Sequence, residues 1–170
     1  MTAFLLAVHV VAAILAVGPV TVAASMFPAS ARRTRAGVSG GSGGSGGSAG
    51  SGGSGEFGVG VVRLLHRVCR VYAVVGVAVP VFGLATASSL GVLTDAWLIT
   101  SMVLTAAAAG ILALGILPGQ EAVLAVLEEG AAPVERADTA RLAMLTGAFN
   151  LLWVTVTVLM IIRPGSTTGA

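Results

Sequence analysis

The chain has 170 residues, 56% of them hydrophobic and 9% charged, and a formal net charge of +2. Its mean hydropathy of +0.99 lies far above that of ordinary soluble domains, and the polar remainder is too short to build a catalytic domain beside the apolar runs. A single cysteine, Cys69, excludes an intrachain disulfide and a cysteine-based metal site.

A hydrocarbon core roughly 30 Å thick needs about 20 consecutive apolar residues of helix. Four runs meet that need, residues 3–27, 71–90, 96–117 and 142–162, and none contains Asp, Glu, Lys or Arg. Membrane strands are about half as long and alternate polar with apolar. The expected fold is therefore all-α: one integral membrane domain over residues 1–170, built as a four-transmembrane-helix bundle.

The first run opens MTAFLLAVHVVAAILAVGPV. It has no basic leader and exceeds the 7–15 residues of a signal-peptide core, so it is expected to remain as a span. Gly18-Pro19 predicts a kink, because proline removes a backbone hydrogen bond and crowds the preceding turn. His9 sits about two turns in. An ionisable group at that depth is a candidate site, and the plainer role is a hydrogen bond to a neighbouring backbone or hydroxyl group.

Residues 39–57 read SGGSGGSGGSAGSGGSGEF. This is a flexible Gly/Ser-rich loop with a reach of roughly 25 Å, either a natural low-complexity segment or an engineered linker, and it carries no chemistry. Six arginines flank it: Arg32, Arg33 and Arg35 before, Arg63, Arg67 and Arg70 after. Arg136 and Arg141 lie between spans three and four, and Arg163 alone falls on the opposite side. Basic residues collect in cytoplasmic loops, so both termini are expected outside. All nine basic residues are arginine, which with the Ala, Gly and Val excess points to a GC-rich bacterial genome and the inner membrane.

Arg63, His66, Arg67 and Arg70 share one helical face leading into span two. The stripe is expected to meet anionic lipid headgroups, to pair with the acidic segment from Glu121 to Asp138, or to contact a partner. Pro80, with Gly76 and Gly83 around it, predicts a second kink. The turn GVLTD then makes spans two and three antiparallel neighbours, with Thr94 or Asp95 as helix cap and Trp97 at the outer interface. Small residues four apart, such as Ala12 and Ala16, Gly83 and Ala87, and Ala106 and Gly110, allow close helix approach.

Pro118-Gly119 is expected to end span three, followed by a short amphipathic helix, QEAVLAVLEEG. Span four carries Thr146, Asn150, Trp153, Thr155 and Thr157, the most polar decoration of any span, suited to interhelical hydrogen bonding. The candidate intramembrane polar site is thus His9, Asn150 and Asp95. His9 and His66 lie near opposite ends of the membrane, so a shared bis-histidine haem is not expected. Nor does a catalytic triad, carboxylate pair, phosphate loop or zinc motif appear.

The combination of VHVVAAILAVGPV, the basic RLLHRVCRVYAVVG entering span two, and TDAWLITSMVLT after a short turn resembles predicted four-helix bacterial membrane proteins grouped as a domain of unknown function. It is distantly similar to the copper-resistance D family, through a His-bearing first span, but lacks the soft ligands that Cu(I) prefers. The resemblance implies membrane location and fold, without an established activity. The expectation is a non-enzymatic helper or interaction partner of other membrane components. It has no catalytic residues, metal or cofactor, contacts lipid and a membrane-protein partner or a second copy, and binds no nucleic acid. The alternative is a small transporter or channel subunit for protons, metal ions or a small solute, with His9 and Asn150 as polar steps.

Overall fold

The computed structural model describes residues 2–39, 51–130 and 134–164. Six α-helices follow in order: α1 (Thr2–Ser39), α2 (Ser51–Gly76), α3 (Ala78–Leu90), α4 (Ala96–Gly110), α5 (Leu117–Glu129) and α6 (Arg136–Ile162). A π-helical turn, Ile111–Ile116, joins α4 to α5. No strand occurs among the described residues, and the all-α four-helix architecture stands. Four stretches are long and apolar enough to cross a membrane: Ala3–Thr34, Glu56–Leu90, Ala96–Glu129 and Arg136–Ile162.

Large apolar side chains face outward on every span, among them Phe4, Ile14, Val74, Val103, Leu151 and Ile161. Such a surface is untenable in water and natural in lipid. Inward, small residues set the spacing. Ala16, Val20, Ala23 and Ala24 of α1 are buried where α1 packs against α2, α3 and α6, while α6 packs in turn against α4, the π-turn and α5. Spans two and three touch at their connecting turn, where Ala87, Trp97 and Leu98 form a buried cluster, and again through α2 and α5.

Several boundaries differ from expectation, each for a local reason. Helix α1 runs unbroken through Pro19 and Pro28 to Ser39. Its extension is held because Phe27 and Ala31 are buried against Val62, Val123, Leu124, Val134 and Leu142. Of the stretch 39–57 expected to be coil, residues 40–50 lie outside the described residues, and α2 is already helical from Ser51. Gly58 lets α2 approach α1 closely, since a Cβ there would stand 2.6 Å from Thr34 Oγ1.

Span two breaks where proline demands it. Pro80 has no N–H to offer the Gly76 carbonyl, and a turn at Val77 separates α2 from α3, with the Val77 N–H bonded back to Val74 O at 3.1 Å. Pro118-Gly119, by contrast, does not end span three. The preceding π-turn absorbs the proline, and the helix continues to Glu129. The same turn solves a geometric problem. Ala108, Leu112, Ile116, Gln120 and Leu124 are all buried, a strict four-residue stripe that would drift by about 40° per repeat on an ideal α-helix. Under-winding cancels part of that drift and keeps the stripe facing the bundle.

Candidate functional site

At the arginine-rich end, α2 and α5 are clamped by a polar set. Arg63 Nε and Nη2 both donate to Glu128 Oε1, at 2.9 and 2.6 Å. This is the pairing of the basic stripe with the acidic segment that the sequence allowed. One turn deeper, His66 Nδ1 donates to Gln120 Oε1 at 3.3 Å, and Gln120 Nε2 donates to Cys69 Sγ at 3.6 Å. Gln120 and Cys69 are both fully buried. A primary amide between an imidazole and a thiol has both ends engaged, which a buried glutamine requires.

The stripe is therefore divided. Arg63 and His66 turn toward α5, whereas Arg67 and Arg70 are exposed and have no ion-pair partner among the described residues. Gln120 was not legible as a site residue, although a signal existed. With Val123, Leu124 and Leu127 it follows the i, i+3, i+4, i+7 spacing of the apolar face, so an amide stands where a hydrophobe belongs.

His9, Asn150 and Asp95 are not brought together. His9 lies on α1, and its Nδ1–H donates to the Val79 carbonyl in the first turn of α3 at 2.9 Å. The ring lies over Gly83, where a Cβ would come within 2.9 Å of His9 Cε1. Asp95 stands at the N-cap position of α4, but its side chain makes no cap bond. Its Oδ2 instead accepts from Trp97 Nε1 at 3.0 Å, and Arg163 lies 5.7 Å over the Trp97 ring. Trp97, expected half in water, is buried by these contacts.

Asn150 faces α1, where its Nδ2 meets Ser25 Oγ at 3.4 Å. From His9 to Ser25 is about 24 Å along the α1 axis, so His9 and Asn150 lie far apart in depth. Thr146 and Trp153 share the Asn150 face of α6. Thr146 Oγ1, Asn150 Oδ1 and Trp153 Nε1 are all buried without a hydrogen-bond partner, a concentration of unsatisfied polar atoms unusual in a helix core. Ser25 is exposed at the α1–α6 seam, so the Asn150–Ser25 contact forms a polar spot between lipid-facing apolar residues.

A second feature lies where the π-turn and α5 face α6. Gly115 and Gly119 present bare backbone to Leu145 and Leu142, with an added Cβ at 3.1 and 2.8 Å respectively. Beside this close approach opens a groove of 510 Å³ with Glu135, Asp138 and Arg141 at one end. No group of three or more His, Cys, Asp or Glu suited to a metal ion occurs among the described residues. No protein-family model, curated protein or solved structure matches the chain.

Proposed function

We propose that the chain is a non-enzymatic, multi-pass protein of the bacterial inner membrane, with both termini outside, that binds another membrane protein laterally through the α1–α6 seam. The observation that carries this reading is the Ser25–Asn150 pair, placed within two spans at the seam, with Ser25 exposed and Asn150 half-buried beside it. Val22 and Met26 flank it on the lipid side of α1, and Leu151 and Val154 on that of α6. Lipid offers such a polar pair nothing, whereas a neighbouring helix can hydrogen-bond it and pack on the apolar rim. Arg67 and Arg70, exposed and without an ion-pair partner among the described residues, suit anionic headgroups at the cytoplasmic face.

The test is photocrosslinking in intact membranes from positions 22 and 26, with position 81 on α3 as control, followed by gentle detergent purification and mass analysis. A protein trapped from the seam positions, lost with Asn150→Leu, supports the reading. A product of doubled mass makes the partner a second copy. Equal trapping at all three positions sinks it. Orientation is checked by placing cysteine at Ser45, where labelling from outside intact cells should fail.

A further inference from the structure

The groove between α5 and α6 has the form of a lipid site. Its lining begins at Leu114 and Leu145 and ends at Glu135, Asp138 and Arg141. From Leu145 to Glu135 is about 15 Å along α6. The apolar part lies within spans three and four, and the charged part sits where α6 leaves its apolar run. The outer wall is made by Leu114, Pro118 and Ala122, which are exposed residues four apart on one side of span three. The groove is thus accessible from the outer side of span three. Its volume of 510 Å³ lies within the range of about 300–1,000 Å³ usual for small-molecule sites.

The charges select the occupant. Among the described residues, none of Glu135, Asp138 and Arg141 has an ion-pair or hydrogen-bond partner through its side chain. Two carboxylates and one guanidinium at the rim of an apolar groove call for a head that carries both a cation and an anion. We propose that this groove binds a zwitterionic phospholipid with a primary ammonium head, phosphatidylethanolamine. Its ammonium N–H groups donate to Glu135 and Asp138, its phosphate oxygens accept from Arg141, and the start of an acyl chain lies along Leu142 and Leu145.

Each alternative lipid loses something specific. Phosphatidylglycerol brings a net negative head toward two carboxylates. Phosphatidylcholine has a quaternary ammonium with no N–H to donate, so the carboxylates gain no charge-assisted hydrogen bond. Neither Arg67 nor Arg70 of α2 lines this groove, and the site does not depend on the partner proposed for the α1–α6 seam.

The experiment is native mass spectrometry of the full chain in mild detergent, titrated separately with phosphatidylethanolamine, phosphatidylcholine and phosphatidylglycerol. The expected result is one tightly held phosphatidylethanolamine, bound about tenfold more tightly than either other lipid. The exposed double variant Glu135→Gln/Asp138→Asn should erase that preference while leaving unfolding unchanged. Ala122→Trp, which fills the groove from its lipid side, should remove the bound lipid whatever its head. Equal affinity for the three lipids, a preference surviving the double variant, or a second copy of the chain occupying the Ala122 face would overturn the proposal.

Discussion

Replacing Gly83 by alanine puts a methyl group where the His9 ring now sits. The new Cβ would stand 2.9 Å from His9 Cε1 and 3.2 Å from Nδ1, inside the 3.5–4.0 Å or so that non-bonded carbon atoms keep. The imidazole cannot swing aside cheaply, because it is buried and its Nδ1–H holds the Val79 carbonyl at 2.9 Å. Overpacking of this kind costs about 1–3 kcal/mol. Losing an interhelical hydrogen bond in a membrane protein adds about 0.6 kcal/mol on average and up to about 1.7. Gly83→Ala should therefore destabilise the bundle by about 2–4 kcal/mol. The assay is equilibrium unfolding in mixed micelles with rising SDS fraction, followed by circular dichroism. In a His9→Ala background the methyl has room, and the same substitution should cost less than about 0.5 kcal/mol, a coupling that a double-mutant cycle isolates. An equal cost in both backgrounds would refute the packing of His9 on Gly83.

The Arg63–Glu128 pair is exposed at both partners, so Arg63→Ala should cost no more than about 1 kcal/mol in the same unfolding assay and less at high salt. Gln120→Ala opens space beside a fully buried Cys69 and removes both amide hydrogen bonds. Cys69 should then react with a maleimide at least about tenfold faster than in the parent, because labelling follows the local opening free energy. Asn150→Leu removes an unsatisfied buried oxygen, and should leave the isolated chain unchanged or up to about 1 kcal/mol more stable while abolishing seam crosslinks. Arg163 adopts a left-handed backbone at φ 45°. Arg163→Gly relieves about 1–2 kcal/mol of strain and forfeits about 0.5–1 kcal/mol of cation–π attraction to Trp97, so its net effect on unfolding should be within about 1 kcal/mol.

Much of the fold follows from patterns that act locally. Pro80 announced the break in span two because a missing N–H is a property of the residue itself. The pairing of Arg63 with an acidic residue was one of three readings open in the stripe, and the choice of Glu128 depended on where α5 ends. Pro118-Gly119 misled, because a proline can be absorbed by a wider turn when the buried stripe on both sides gains from under-winding. Small-residue pairs were legible as a means of close packing but not as faces. Ala106, Ala109 and Ala113 point outward, while Ala108 between them is buried.

By itself the sequence determined that four apolar stretches are long enough to cross a membrane, and that they must be helices if they do, since an unpaired backbone cannot be left in hydrocarbon. It also determined which end of the bundle carries the arginines. Tertiary structure alone decided which polar residues meet. His9 reached a carbonyl of α3 rather than Asp95, Asn150 reached Ser25 of α1, and Gln120 entered the core between His66 and Cys69. Those pairings depend on the rotation and depth of one helix against another. These are set by contacts between residues 51 to 125 positions apart in the chain, a range over which no local pattern carries information.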